Sequence, residues 1–492
     1  MANNTNSSGW RFGTIRIVLI VLLVLAVLGA YVAWYRFFRE EAQPDWVTAT
    51  PEMRFKYGSI GAERDAGIPY WIFYVLPRIF PDKLPGPGGY AAFGVAWEQG
   101  QELPIGFTKK VVGFPRVANN CAVCHTSSYR SKHDENPTFV PTGPTQRLKL
   151  EAFFRFLVEV AQDPRFNADT LMGEINQVTK LDLIDRLAYR FFIIPITKQR
   201  LAERKEQFAW VFRKDFPEWG PGRDDSMNLT KYFMIKWKMD DSVGPTDMPS
   251  IWNIKKYHHE KGMRMNFAGD SHDAFSVIMD SALGLLGAPP KSNAEFVDEV
   301  KWLLDYLGST QAPRYPFAIE EKRAARGKQV FEAECARCHA SARTGTRIPL
   351  KEIGTDAERI GTWNHKAAKE ANRVVRNMGL ERLGLVEDEP LDGYIAAFLD
   401  GIWLRGPYLH NGSVPTLRDL LEPADKRPKQ FYRGYDVYDQ ARVGFESTSA
   451  QAQKYGFPYD TFQRTNSNKG HEFGTRLPGA DKDALVEYLK TL

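Results

Sequence analysis

The stretch Cys121-Ala-Val-Cys-His125 determines how the rest of this chain is interpreted. Two cysteines that are separated by two residues and followed by a histidine are typical of c-type haem attachment. Each thiol adds to one vinyl group of the porphyrin, and the histidine binds the iron as its proximal ligand. The pattern recurs at Cys335-Ala-Arg-Cys-His339. We therefore predict two covalently bound haem c groups, attached through Cys121, Cys124, Cys335 and Cys338, with His125 and His339 on the two irons.

The cysteine count supports haem over the other uses of paired cysteines. The chain has 4 cysteines, and the two motifs use all of them, so no thiol remains for a disulfide. A zinc site is the alternative for paired Cys-x-x-Cys motifs, but zinc does not need the two adjoining histidines. The length of 492 residues and the 43% apolar content suffice for two or three domains with real cores. A net charge of +5 is small for this length and gives no reason to expect nucleic acid as a partner.

Residues 17–35 form an uncharged apolar stretch, which has about the length that a helix needs to cross the hydrocarbon core of a bilayer. Trp34 and Tyr35 end this stretch, at a position where amphipathic rings favour the membrane interface. A cleaved signal peptide is the alternative, although its apolar part is normally shorter and is followed by small residues. We predict an uncleaved transmembrane anchor.

The charges on the two sides of this stretch do not decide its orientation. Arg11 and Arg16 precede the stretch, and Arg36 and Arg39 follow it, so the positive charges are nearly balanced. Because bacterial c-type haem is attached on the periplasmic side, we predict a cytoplasmic N-terminus and a single-pass protein of the bacterial inner membrane. Residues 42–492 would then lie in the periplasm.

The predicted fold class is mainly α, with two cytochrome c-like haem domains that carry long loop-rich insertions, preceded by one N-terminal transmembrane helix. Residues 1–41 would be the tail and the anchor, residues 42–315 the N-terminal haem domain, and residues 316–492 the C-terminal cytochrome c domain. Helices at about 319–333 and 481–492 would cross in the C-terminal domain, where Gly327 lets the backbones approach. In the N-terminal domain, turns are predicted at 67–72 and 84–89.

Two apolar stretches with helical character follow the first motif. Leu150, Phe153, Phe154, Leu157 and Val158 recur at helical spacing on one face, which predicts core packing. Residues 181–196 are more apolar. They are predicted to belong to the core, to line an apolar entrance, or to rest on the membrane.

The second ligand of each iron decides what the haem does, because a strong ligand suits electron transfer and an open face lets O2 or peroxide bind. Of the 9 histidines, those outside the motifs supply the candidates. His410 and His471 lie in loops rich in turn residues, and Met378 is a softer candidate. The remaining histidines lie in charged surroundings and are predicted to be surface residues: His133, His258, His259, His272 and His365.

The stretch Arg405-Gly-Pro-Tyr-Leu-His-Asn-Gly-Ser413 resembles the signature of the bacterial di-haem cytochrome c peroxidase superfamily. Within that superfamily, the chain resembles the rubber oxygenases and the related di-haem fatty-acid dioxygenases. The matching stretches follow one another over most of the part of the chain that follows the anchor. They are residues 55–61, 67–71, 103–107, 248–253, 427–432, 443–445 and 466–474.

The resemblance implies a division of labour between the two haems. The N-terminal haem, on His125, would bind O2 on an open face and add oxygen across a carbon–carbon double bond. The C-terminal haem, on His339, would be six-coordinate and transfer electrons, with His471 opposite His339 and His410 as the next candidate. Residues 138–145 match the position of a distal histidine in peroxidase relatives but contain none, which favours an open site. Some peroxidase relatives hold calcium between their haems, so calcium is a further cofactor that the resemblance raises.

The chain departs from the family in two respects. Rubber oxygenases carry a Trp-Asp-Gly segment by the reactive haem, where this chain has Phe267-Ala-Gly-Asp270. Phe267 would therefore shape the catalytic pocket in place of an indole. A membrane anchor also suits an apolar substrate in or near the bilayer better than it suits an external polymer.

Three functions follow from these observations. The first is a dioxygenase that uses O2 on an unsaturated lipid or isoprenoid. The second is a peroxidase, in which the C-terminal haem supplies electrons for the reduction of hydrogen peroxide. The third is a membrane-tethered electron carrier without enzymatic activity. In each, a redox partner protein or a quinone is a candidate partner. A peroxidase needs an acid or base near the peroxide, and the sequence identifies no residue for that role, which favours the oxygenase.

Overall fold

A computed structural model describes residues 8–271, 273–287, 292–380 and 391–492. The described part is mainly helical, as predicted, and its short strands pair in small antiparallel sheets. His272 lies outside the described residues, and so does Ala288-Pro-Pro-Lys291, whose prolines predict a helix break.

The α-helices are distributed over the whole described chain. They are α1 Ser8–Phe37, α2 Asp45–Thr48, α3 Pro51–Tyr57, α4 Tyr70–Ile79, α5 Leu150–Gln162, α6 Ala168–Val178, α7 Leu183–Ala188, α8 Ile194–Gln207, α9 Ser226–Phe233, α10 Ala274–Gly284, α11 Asn293–Ser309, α12 Glu321–Glu334, α13 Ala336–His339, α14 Leu350–Ile353, α15 Glu358–Gly361, α16 His365–Asn377, α17 Leu417–Leu420, α18 Ala450–Tyr455 and α19 Gly479–Leu489.

The strands form one three-stranded sheet, of order β1-β3-β2, and five two-stranded pairs, β4-β5, β6-β7, β8-β9, β10-β13 and β11-β12, in the described chain. Their bounds are β1 Ile68–Pro69, β2 Phe107–Val112, β3 Phe114–Asn119, β4 Thr126–Tyr129, β5 Thr138–Pro141, β6 Arg223–Asp224, β7 Thr246–Asp247, β8 Arg347–Pro349, β9 Gly393–Ile395, β10 Gln430–Arg433, β11 Tyr438–Asp439, β12 Gly444–Phe445 and β13 Phe457–Asp460.

Helix α1 contains the predicted apolar stretch. Its segment Thr14–Phe37 is long and apolar enough to cross a membrane, and none of its most apolar part is buried inside the protein. This helix fits a membrane anchor and also a signal sequence.

The turn predicted at 67–72 is wrong in its second half. Pro69 ends β1, and α4 begins directly afterwards at Tyr70. Ile72, Phe73 and Val75 on this helix are almost fully buried against the three-stranded sheet and the helices that follow the first motif. Gly67 and Pro69 therefore precede the start of a helix and do not form a connection between two extended segments.

One hydrophobic core contains residues from both sides of residue 316, where the boundary between the haem domains is predicted. Ala367, Ala371 and Val375 of α16 belong to the same core as Phe296 and Val300 of α11. A helix that the sequence assigns to the C-terminal domain thus packs on helices that precede it. The domain boundary remains a prediction.

Helices α12 and α19 cross at close range around Gly327. A Cβ atom on Gly327 would lie 1.8 Å from the carbonyl oxygen of Ala484. The crossing expected from the sequence is therefore present, with α12 and α19 each displaced by about two residues from the predicted bounds. Leu485 and Leu489, which helical spacing in the sequence places on one stripe of this helix, are buried.

We expect Gly327→Ala to destabilise the protein by about 1–3 kcal/mol, because the new methyl group meets main-chain atoms that cannot move independently. The measurement is the urea midpoint of the full chain, followed by circular dichroism. Gly173→Ala in α6 is the matched control, since a Cβ there meets nothing within 4 Å. A midpoint for Gly327→Ala that equals that of the control would contradict the close crossing.

Candidate haem-binding site

One cavity of about 710 Å³ connects the two motifs. Its size is within the usual range for pockets that bind cofactors and ligands, which is about 300–1,000 Å³. Of the residues predicted for haem attachment, ligation or catalysis, all but Met378 lie on its wall: Cys121, Cys124, His125, Phe267, Cys335, Cys338, His339, His410 and His471. The sequence separates some of these residues by more than 300 positions, and the fold brings them together.

The first motif is held in place by the residue before it and by a glycine. The Asn120 side chain accepts a hydrogen bond from the Ala122 N–H and donates to the carbonyls of Phe55 and Gly58, each at 2.9 Å. Gly106 has φ +85°, and a Cβ on it would lie 2.1 Å from the nitrogen of Val123. The motif therefore forms a tight turn, Cys121–Val123, that is fixed from two sides.

His125 is oriented for binding a metal through one nitrogen. Its Nδ1 lies 2.8 Å from the carbonyl oxygen of Pro249. Because a carbonyl can only accept, Nδ1 carries the proton and Nε2 keeps its lone pair. Burial lowers the pKa of His125 to about 4, so the ring is neutral at physiological pH. A neutral imidazole with its second nitrogen held by a carbonyl is the usual form of a metal-binding histidine.

The second motif repeats this arrangement. Cys335 follows the end of α12, and the motif continues as the short helix α13. His339 Nδ1 lies 2.8 Å from the carbonyl oxygen of Ala397, and burial lowers its pKa. Two unrelated stretches of backbone therefore give the two motif histidines the same protonation and the same free nitrogen.

His471 faces His339 across the cavity. Their ring centroids are 6.2 Å apart, at an interplanar angle of 50°. Two metal–nitrogen bonds of about 2 Å, together with the distance from each nitrogen to its ring centre, span about 6 Å. The spacing of the pair therefore fits two histidines that would both bind one haem iron. Burial lowers the pKa of His471 to about 3, so this ring is neutral too.

Arg427 holds the loop that carries His471. Its Nη1 donates to the carbonyls of Asn468 and Gly470, at 2.5 and 2.8 Å, and its Nη2 donates to that of His471 at 3.2 Å. The side chain of Arg427 is almost fully buried. His471 itself has φ +50°, a conformation that the loop contacts stabilise.

The other candidate ligands lie elsewhere. The His410 ring stacks on Tyr394 at 4.0 Å and contacts Phe267 at 6.4 Å. Met378 follows the last residue of α16 and packs against the hydrophobic core, and it is not part of the cavity wall. Of the predicted surface histidines, His258 and His365 are exposed, and His133 lies between Tyr435 and Tyr455.

The cavity wall carries buried polar atoms that have no partner in the protein. They belong to side chains that can donate hydrogen bonds, and they are Arg359 Nε and Nη1, Arg405 Nε, Thr355 Oγ1 and Trp363 Nε1. Buried donors without partners are costly, so they indicate a bound group with acceptors. Haem carries two carboxylates, so the donor set fits this cofactor.

The apolar stripe of α5 is a wall of the cavity. Leu150, Phe153, Phe154, Leu157 and Val158 all line it, although their spacing predicted ordinary core packing. Helical periodicity identifies a face that is shielded from water, and it does not distinguish a protein core from a cofactor pocket.

Asp224 is a feature of the wall that the sequence did not indicate. It lies in β6, is buried and lines the cavity. Burial, followed by the neighbouring charge of Asp225, raises its pKa to about 7. Its segment has no periodicity and no motif, and only the doublet Asp224-Asp225 could have drawn attention to it.

The resemblance to the peroxidase relatives raised calcium as a further cofactor, and acidic or other metal-binding side chains would have to hold it. Among the described residues, no group of three or more histidine, cysteine, aspartate or glutamate side chains is placed to hold a metal ion.

One family model matches a short segment of the chain. Residues 393–433 match the family described as RoxA-like, cytochrome c-like. This segment contains β9, Arg405 and His410, so the match falls on the cavity wall beside the second motif. The chain therefore contains a cytochrome c-like domain, and such domains bind haem c covalently.

Two curated relatives come from Sinorhizobium fredii. The chain is 31% identical to the uncharacterized protein y4iM over 50% of its own length and 64% of that protein. It is 32% identical to the uncharacterized protein y4iJ over 42% of its own length and 36% of that protein. The chain thus covers less than two thirds of each relative.

A solved structure of hydrazine synthase from Kuenenia stuttgartiensis, pressurised with xenon, aligns with 52% of this chain and 76% of its own. The identity is 15% and the TM-score is 0.25, and no argument rests on this alignment.

The spacing of His339 and His471 predicts the spectroscopic effect of removing His471. We expect His471→Ala to convert one low-spin haem into a form that binds carbon monoxide, which adds one equivalent of carbon monoxide per chain. His410→Ala is the control, and we expect it to leave the low-spin signal in place. The measurements are electron paramagnetic resonance and carbon monoxide titration. Loss of the low-spin signal in His410→Ala alone would reverse the assignment.

The raised pKa of Asp224 predicts how stability changes with pH. The folded protein keeps a proton on Asp224 that the unfolded chain has released, so the free energy of unfolding falls as the pH rises from about 4 to 7, by up to about 1.4 kcal/mol per pH unit. We expect Asp224→Asn, which resembles the protonated acid, to remove this slope from urea midpoints measured between pH 5 and 8. Asp241→Asn, at an exposed position, should leave the slope unchanged. Identical slopes in all three proteins would contradict the prediction.

Proposed function

We propose that this chain is a membrane-anchored di-haem c-type cytochrome that adds O2 across a carbon–carbon double bond of an apolar substrate, such as an unsaturated lipid or isoprenoid. The observation that carries the proposal is the difference between the two motif histidines. The ring of His339 faces that of His471. Among the described residues, no imidazole ring is in contact with His125.

The first motif is the reactive one in this proposal. Cys121 and Cys124 would hold the haem through thioethers, and His125 would bind its iron. When bound, the haem supplies the place at which O2 is activated. The Pro249 carbonyl keeps the proton on Nδ1 of His125 and fixes the ring, so that Nε2 is always the ligand.

The apolar wall selects the substrate and excludes water. The stripe on α5 presents Phe153, Phe154 and Leu157 to the cavity, and Phe208 stacks on Phe154 at 4.6 Å. A hydrocarbon chain gains free energy by leaving water for this wall. Exclusion of water also protects reactive oxygen species from side reactions.

Phe267 lines the same cavity. Its ring contacts that of His410, and its carbonyl accepts a hydrogen bond from Ile395 at 2.8 Å. The backbone contact fixes the residue to β9, two residues before the Ala397 carbonyl that orients His339. Phe267 would thus shape the space between the two motifs.

The second motif would supply electrons to the first. Cys335 and Cys338 would hold its haem, and His339 and His471 would fill both faces of the iron. Electrons would arrive from a redox partner protein or a quinone on the periplasmic side. The reaction on the substrate needs no net electrons. One O2 molecule and one carbon–carbon double bond give two carbonyl groups, as the double bond is cleaved.

A peroxidase is the second candidate, and one observation favours it. Reduction of hydrogen peroxide consumes protons, and Asp224 is a buried carboxyl on the cavity wall with a pKa of about 7. A group with such a pKa can hold and release a proton near neutral pH.

Labelled oxygen separates the two candidates. The full chain, with its haems, is incubated in detergent with 18O2 and an unsaturated isoprenoid. A dioxygenase gives two carbonyl products that each carry one 18O atom. A peroxidase consumes hydrogen peroxide and a reduced cytochrome instead, and incorporates no label. Absence of labelled products across lipid and isoprenoid substrates would overturn the dioxygenase.

The apolar wall also predicts the effect of a substitution. We expect Phe154→Ala to lower kcat/KM for the apolar substrate by about 10- to 150-fold, because burial of a large apolar side chain against substrate contributes about 1.5–3 kcal/mol. Phe462→Ala, at a highly exposed phenylalanine outside the cavity, is the matched control. Haem content, measured as the pyridine haemochrome, should be unchanged in both. An unchanged kcat/KM in Phe154→Ala would show that the substrate does not contact α5.

A further inference from the structure

The outer face of α7 and α8 is apolar and exposed. The two helices are joined by a π-helical turn, Tyr189–Ile193, and form one continuous rod. Ala188, Tyr189, Ile193 and Ile194 face inwards and are buried in the N-terminal core. The outward side chains form what we call the apolar ledge, which consists of Leu183, Ile184, Leu187, Phe191, Phe192 and Ile196.

The ledge is unusual for a surface in contact with water. Its side chains are 48–70% exposed. Single exposed apolar residues are common, but a contiguous set on one helix face marks an interaction site. Tyr455 and Phe462, which are also exposed, lie in the C-terminal part of the chain and away from this set in sequence. We therefore expect the apolar ledge to be covered by another apolar surface or phase.

The position of the ledge identifies the occupant. Arg36, in the last turn of α1, donates to Asp182 at 2.9 Å and to Asp185 at 2.8 Å. Asp182 is the residue that caps α7. The end of the candidate membrane span is thus joined directly to the beginning of the ledge.

The segment after α1 is also fixed to the body of the protein. Gly113 donates to the carbonyl of Arg39 at 2.7 Å, and Glu41 donates to that of Val111 at 3.1 Å. Arg64 forms a two-pronged contact with Glu40, at 2.7 and 3.0 Å. Because these contacts hold residues 39–41 against β2, α1 leaves the protein at a set place beside the ledge, and not through a free linker.

The charges around the ledge suit the surface of a bilayer. Arg36 forms ion pairs with both acidic residues at the start of α7, Asp182 and Asp185, and offsets one of their two negative charges. The remaining ionisable residues between 180 and 200 are basic, namely Lys180, Arg186, Arg190, Lys198 and Arg200. Apolar and aromatic side chains flanked by basic ones are the composition of helices that lie in the membrane interface.

We infer that the apolar ledge inserts into the lipid interface of the same bilayer that α1 spans, so that the protein contacts the membrane at two adjoining places. This inference rests on the membrane anchorage in the proposed function and not on the reaction. It also places the cavity close to lipid, since Leu201 and Arg204, farther along α8, line the cavity.

Depth-dependent quenching tests the inference on the full chain with its haems, in vesicles of phosphatidylcholine and phosphatidylglycerol. Phe192→Cys is labelled with an environment-sensitive fluorophore, and Phe462→Cys is the matched control. The quencher is a nitroxide on the lipid acyl chain. We expect quenching at position 192 to be at least about twofold stronger than at 462, with emission shifted to the blue. Both variants replace exposed side chains, and the haem spectrum reports that the fold is intact.

A label at Trp34→Cys in α1 distinguishes the possible failures. Quenching at 34 and 192, but not at 462, supports the inference. Quenching at 34 without quenching at 192 overturns the ledge while the anchorage holds. If the label at 192 is shielded from aqueous iodide as well as from lipid nitroxides, a protein covers the ledge, and the inference is wrong. Absence of quenching at both 34 and 192 would overturn both the membrane anchorage by α1 and the insertion of the apolar ledge.

Discussion

The hydrogen bonds from the two motif histidines to backbone carbonyls are the constraint on which the site depends. His125 reaches Pro249, which is 124 residues away in the chain, and His339 reaches Ala397, which is 58 residues away. Each bond fixes a ring orientation, a tautomer and a free nitrogen at once. Each also ties a motif to a loop that is distant in the chain and lines the same cavity.

The two halves of the cavity differ in what faces these histidines. On the side of His339, a loop held by buried Arg427 brings in a second neutral imidazole. Around the first motif, a helix contributes a stripe of aromatic and aliphatic side chains. The same attachment chemistry is therefore combined with two environments. A filled second face favours electron transfer, and an apolar space favours a reaction with an apolar molecule.

Much of the candidate site could be predicted, because its chemistry depends on spacing within a few residues. The two motifs and the candidate ligands His410 and His471 could be found in this way. The partners of these groups could not, since Pro249, Arg427 and Ala397 are connected to them only through the fold. Asp224 was missed for the same reason, because its pKa follows from burial and a neighbouring charge. The stripe on α5 packs in the core, as its spacing predicts, and it also lines the cavity. Its periodicity could not show the second role, because a cofactor pocket and a core have the same periodicity.

Residues 181–196 show why a pattern can fit two predictions at once. The sequence predicts either core packing, an apolar entrance or contact with the membrane for this stretch. In the structure, the buried Ile193 and the exposed Phe192 are neighbours on one continuous helical rod. A helix that is apolar all round has one face for the core and another for a second apolar phase. The Arg36 contacts place that second face beside the candidate span, and α8 continues from it to the cavity wall. A substrate too apolar to cross water would then meet the protein at the surface where it is already dissolved.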